Sequence, residues 1–211
     1  MADDSKTWEL IHAERVKMSD TLDGLTEEQW AQRSLCGTWS VRQAAGHIVG
    51  GAEQTPANFM AGMVRNAFRF NVYMDHTARD LGRLEPDEIV TRLRARTTTT
   101  NHPPAPAMAM LGEIVVHGED IRRPLGITGS VSPDAQLACL NMYRSATFPV
   151  GGKKRMAGLR LVADDVDWSH GDGPEVHGTG MALMMGMTGR PVPADQLTGD
   201  GAATFLGRIG R

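Results

Sequence analysis

The chain has 211 residues, 41% of them apolar, and a formal net charge of −3, which suffices for one large domain or a domain with a small appendage. The acidic balance argues against a nucleic-acid binder with a basic face, and no apolar run approaches the roughly 20 residues of a membrane span. The polar start Met-Ala-Asp-Asp-Ser-Lys lacks the apolar segment of a secretory signal, and Cys36 and Cys139 are too few for a disulfide framework, so a cytoplasmic protein is expected. Neither thiol has a histidine at motif spacing, and both read as ordinary buried residues.

The first 150 residues read as helical. A first helix spans about Ser5 to Leu22, with Trp8, Ile11, Val16 and Leu22 at apolar positions. Thr26-Glu-Glu-Gln29 is a capping box opening a short helical turn that carries Trp30. After the tight connection 34–39, Ser40 and Gln43 form a second capping box. The helix it opens has an inward stripe of Val41, Ala44, Ala45, Ile48, Val49 and Ala52, whose small members allow close approach of a neighbour. Residues 66–85 are rich in arginine and aromatics and read as a partly helical crossover. Pro86-Asp-Glu starts another helix, which ends in the threonine and proline run 97–106. A further helix carries Glu113 and His117 and stops at Pro124-Leu-Gly126, and Ser132-Pro133-Asp134 opens one more.

After Gly151-Gly152 the pattern changes. Leu159–Val162 alternates like a strand, Val166–His170 can pair with it, and Glu175–His177 is a third candidate. Met181–Met187 is apolar all round and reads as a helix, either core or a contact surface in a homodimer. The expected organisation is a helical bundle over 1–150 and a small α+β domain over 151–211.

Glu113 and His117 are four positions apart, so they project from one helix face. His47 lies on another helix with apolar neighbours. One carboxylate and two imidazoles make three ligands, and three protein ligands with an open fourth position is the pattern of a catalytic zinc. Taken singly, each residue has an ordinary reading: a solvated Glu–His pair, and a core histidine with its hydrogen bonds satisfied. Bundle cores do host metals on facing helices. Asp120, three residues past His117, can orient a ligand imidazole or pair with Arg123. Arg122 and Arg123 fit a cation-dressed helix end, or an anionic substrate. Arg65, Arg69, Arg79 and Arg83 form a solvated charge run, or a carboxylate-recognition patch with Asn71 and Tyr73 at its mouth. His12, His76 and His102 fall outside the pattern. His170 and His177 read as exposed strand histidines.

Four segments carry a resemblance: Leu25-Thr-Glu-Glu-Gln-Trp30, Cys36-Gly-Thr-Trp-Ser-Val41, Gly46-His-Ile-Val49 and the long run from Gly112-Glu-Ile-Val-Val-His117 through Pro124-Leu-Gly126. They resemble the DinB-like superfamily, and within it the mycothiol-dependent maleylpyruvate isomerase and S-transferase family. The tail, Gly171–Gly178 through Thr188-Gly-Arg-Pro191, resembles that family's small C-terminal domain. The resemblance implies a four-helix bundle with a long crossover between its second and third helices. It implies a divalent metal, usually zinc, on His47, Glu113 and His117, with water or a substrate thiolate as the fourth ligand. It further implies mycothiol as cosubstrate and an active-site arginine in the C-terminal domain, matched here by Arg190. From the residue reading, Asp120 is the expected catalytic partner, and Arg69 and Asn71 are the expected cofactor-binding residues.

A metal deprotonates a coordinated thiol, so the expected enzyme attacks a small electrophile with a thiolate, as a transferase or an isomerase. The alternatives are a hydrolase using metal-bound hydroxide, with Asp120 or Glu119 as base, and a non-catalytic metal-binding stress protein.

Overall fold

The computed structural model describes residues 4–129, 131–147 and 150–210. The chain divides into two units, Met1–Ser130 and Val131–Arg211. The sequence placed the domain boundary at 150. The division between the units falls earlier, so the helix opened by Ser132 belongs with the C-terminal unit.

The N-terminal unit contains α1 (Ser5–Asp23), α2 (Glu27–Ala31), α3 (Val41–Glu53), α4 (Pro56–Arg65), α5 (Phe70–Leu81), α6 (Pro86–Arg94) and α7 (Ala107–Arg122). α1 packs on α6 and α7, and α3 packs on the same two, which closes a ring of four helices. The long connection between α3 and α6 carries α4 and α5, and α5 lies along α3. The crossover expected as partly helical is helical over most of its length. One missed signal is a third capping box: Thr55 accepts from the Asn58 backbone, and Asn58 accepts in return from the backbone of Thr55. The two boxes read from the sequence, Thr26–Gln29 and Ser40–Gln43, are both closed in the same way.

The core is filled by Ile11, Met18, Leu22, Val41, Ala45, Leu93, Leu111 and Val115, all essentially inaccessible. Each large aliphatic side chain so buried contributes about 1.5–3 kcal/mol. α3 approaches α5 through glycine. A Cβ on Gly46 would stand 2.7 Å from the Gly82 backbone nitrogen and 2.9 Å from the Ala78 carbonyl oxygen. The loop between α2 and α3 is pinned on two sides: Leu35 N–H donates to the Asp120 carbonyl of α7 at 2.9 Å, and Trp39 Nε1 donates to Asp75 of α5 at 2.8 Å. α7 runs into a single 3-10 turn, Arg123–Leu125, and stops at Gly126, whose φ of +67° suits a residue without Cβ.

The C-terminal unit contains α8 (Pro133–Tyr143), α9 (Gly152–Arg155), β1 (Arg160–Ala163), β2 (Ser169–His170), β3 (Glu175–Gly178), α10 (Gly180–Met187) and α11 (Ala202–Leu206). Its sheet has the order β2-β1-β3. β1 pairs antiparallel with β2, Leu161 opposite His170, and parallel with β3, Leu161 opposite Val176. α10 packs on α8, and Leu183, Met184, Met185 and Met187 are fully buried, so the methionine-rich segment is core. The chain is thus mainly helical with a small three-stranded sheet, as the sequence led us to expect. No described helix is long and apolar enough to cross a membrane.

Candidate metal centre

His47 sits in the middle of α3, and Glu113 and His117 one turn apart on α7, the helix packed against it. The small residues of α3 leave room for the histidine to project toward α7. His47 Nε2 lies 2.9 Å from Glu113 Oε2, and His117 Nε2 lies 3.4 Å from the same oxygen. The two imidazoles meet edge to face, with centroids 4.5 Å apart. One ligand atom from each of the three residues falls within 4.8 Å of the others. Ligands about 2.1 Å from a tetrahedral ion stand roughly 3.4 Å from one another. Two imidazole nitrogens and one carboxylate oxygen at these separations fit zinc and other borderline divalent cations.

Both histidines are buried, whereas the Glu113 side chain is 48% exposed and forms the open side of the cluster. Desolvation pushes the Glu113 carboxyl up, but the imidazoles of His117 and His47 outweigh it and hold the group well below the usual carboxylate range. Desolvation opposes charge on His117 as well, and Asp120, the Cys36 thiol and Glu113 together raise it well above an ordinary histidine.

Asp120, fully buried, accepts a hydrogen bond from His117 Nδ1 at 2.9 Å. A carboxylate accepts only, so this contact fixes the proton on Nδ1 and turns Nε2 toward Glu113 and His47. Of the two readings for Asp120, contact with a candidate ligand imidazole is therefore seen. Arg123 pairs instead with Glu119 at 3.1 Å, and Arg122 pairs with Glu119 at 2.9 Å. Glu119, the other base considered for a hydrolase, is thus held between two guanidiniums.

Cys36 corrects an expectation. It is only partly buried, and it lies with His117 and Asp120 inside a second group of donor atoms all within 4.8 Å. It is not an ordinary core thiol; Cys139 is buried as expected. Trp39 also joins the site, its ring 5.0 Å from that of His47 and 6.3 Å from that of His117.

A pocket opens beside the cluster, lined by His47, Glu113, Ile48, Gly51, Ala52, Met110, Ile114 and Arg15 of α1. Arg15 had no place in the sequence reading. Arg69 and Asn71 are exposed at the start of α5 and are not among the residues lining this pocket. Tyr73 accepts a hydrogen bond from Gln54 at 3.2 Å. Arg190, in the C-terminal unit, follows α10 and donates to the Thr188 carbonyl at 3.0 Å. Of the histidines set aside, His12 contacts the Thr99 carbonyl, His76 contacts Asn66, and His177 contacts Glu175.

Residues 11–102 match the family model of the mycothiol maleylpyruvate isomerase N-terminal domain. That segment is similar to the N-terminal domain of mycothiol maleylpyruvate isomerases. The match takes in His47 and Cys36 and ends before Glu113 and His117. Two solved structures, a mycothiol-dependent maleylpyruvate isomerase and a histidine-to-alanine mutant of it, share the fold of this chain. Each superposes with a TM-score of 0.63 at 14% identity, covering 93% of this chain and 92% of that one. No curated protein sequence matches the chain. Within the matched segment, α1, α3 with its donor His47, and the loop carrying Cys36 and Trp39 all face α7.

Proposed function

We propose that this chain is a divalent-metal enzyme that sets a low-molecular-weight thiol, mycothiol, against a small conjugated electrophile, as an isomerase or S-transferase. The observation that carries the reading is the convergence of His47, Glu113 and His117 from two facing helices, in a chain whose residues 11–102 match the isomerase N-terminal domain. These three residues would hold the cation, zinc by the nature of the donor set. The cation would supply one thing, a thiol kept as thiolate at neutral pH, where a free thiol with a pKa of about 8.5 is mostly protonated.

The protein's own groups do the rest. Asp120 keeps His117 in the Nδ1–H tautomer. The Trp39 ring packs beside the two imidazoles. Glu113 leaves one side of the cluster open. Ile48, Ala52, Met110 and Ile114 give the adjoining pocket an apolar wall suited to a small carbon skeleton. Sulfur forms a bond to the conjugated carbon, and the electron pair moves onto the conjugated acceptor. Rotation about the resulting single bond followed by loss of the thiolate gives the geometric isomer; protonation of the carbon gives a thioether.

Metal analysis of the purified protein tests the reading. About one zinc per chain is expected, lost in His47→Ala and in His117→Ala. Wild-type protein that arrives without metal and takes up none when zinc is added would overturn it. Turnover of an electrophile that requires added thiol is then expected; turnover without any thiol would favour a hydrolase.

A further inference from the structure

Arg15 is only 3% exposed, yet it lines the pocket beside His47 and Glu113. Its Nη1 donates to the carbonyls of Arg96 and Thr99, both at 2.9 Å, which uses both protons of that nitrogen. Among the described residues, no carboxylate lies within ion-pairing distance of its Nε or Nη2, and the one charge that bears on it is another cation, Arg96. The ring of Trp8, 5.8 Å away, gives partial compensation. Burial and Arg96 together push the Arg15 guanidinium down to about 10. A buried charge normally has a counter-ion, because desolvation without one is costly.

We propose that Arg15 is a specificity-determining residue that binds a carboxylate of the small-molecule substrate in the pocket next to His47 and Glu113. The free edge of a guanidinium, Nε with Nη2, matches the two oxygens of a carboxylate. A substrate held this way has a carboxylate on Arg15 and its carbon chain toward His47 and Glu113. The assignment deepens the proposed function and uses it only to say what lies at the other end of the substrate.

The test is calorimetric titration of the full-length chain with maleate and with its uncharged diamide, on wild type and on His47→Ala, so that a carboxylate held by a metal is told apart from one held by Arg15. Maleate is expected to bind both proteins, and at least about tenfold more weakly in Arg15→Gln, the loss of a charge-assisted pair. Arg15→Lys, which keeps the charge, should recover part of the binding, and the diamide should bind weakly to all of them. Gly51 lines the same pocket, and a Cβ there meets nothing within 4 Å. Gly51→Asp therefore puts a carboxylate into the pocket while leaving both Arg15 hydrogen bonds in place. It should abolish maleate binding, and Gly51→Ala should not. This pair decides the matter even if Arg15→Gln fails to fold. Unchanged maleate affinity in Arg15→Gln or Gly51→Asp, or equal loss for maleate and diamide, would overturn the proposal. Loss of maleate binding in His47→Ala alone would assign the carboxylate to the metal and overturn it too.

Discussion

At the scale of single residues the cluster is a proton-sharing network as well as a candidate ligand set. Asp120 is the group that decides which nitrogen of His117 is free. Replacing it with Asn removes the charge but keeps the shape, so metal affinity should fall about 10–100-fold with the fold retained; competition against a chelator of known affinity measures this. The pH dependence of the metal-free protein follows from two opposed shifts. His117 is raised in the folded state, so its contribution is complete below the unfolded value near 6.5 and is lost as pH rises through the folded value. Glu113 is depressed, so its contribution is complete above the unfolded value of about 4.3 and is lost as pH falls through the folded value. The cluster therefore supports the metal-free fold most between roughly pH 4.3 and 6.5. Thermal melts of chelator-treated protein should show stability declining above that window, and the decline should vanish in His117→Gln. The pairing of Glu113 with His117 was legible in the sequence because four positions on a helix fix it. The contacts of Cys36 and Arg15 were not. Cys36 is brought to His117 by a loop tied to α7 through one backbone hydrogen bond from Leu35 to Asp120, and no local pattern announces that.

At the scale of elements, α3 shows how composition becomes geometry. Its capping box sets where it starts, and its small residues set how close its neighbours come. Gly46 and Gly51 differ sharply in surroundings although both lie in the same helix. Gly46→Ala drives a methyl into backbone of the α5 end, with contacts of 2.7 and 2.9 Å that no side-chain motion relieves, and should cost about 1–3 kcal/mol. Gly51→Ala meets nothing and should stabilise by about 0.5–1 kcal/mol, the ordinary helix preference for alanine. Urea denaturation of the two variants checks both signs. Helix starts were read well from the sequence because Thr26, Ser40, Pro86 and Ser132 act within one turn of themselves. The crossover was read less well. α5 has no side-chain cap at its start, and its helicity owes more to packing on α3 than to any signal of its own.

At the scale of the molecule, all three candidate ligands, Asp120, Cys36 and Arg15 lie in the N-terminal unit, Met1–Ser130. A fragment ending at residue 130 is therefore expected to bind about one metal per chain, measured by metal analysis after gel filtration; a fragment that folds by circular dichroism but takes up none would place an essential ligand beyond it. The helical bundle was legible because helix lengths and break points lie in the sequence, whereas its long crossover rested on the family resemblance. The division after residue 130 was not, because α8 looks like one more bundle helix until its packing on α10 is seen. One consequence follows from where the donors sit in the chain. His47 and Glu113 are 66 positions apart, on helices that meet only after the whole crossover has been laid down. An ion gripped by both would act as a removable cross-link, closing a long loop that the unfolded chain must otherwise close against its own entropy. Such a clasp forms late in folding and must open early in unfolding, so it would lengthen the lifetime of the native state far more than it would hasten its formation.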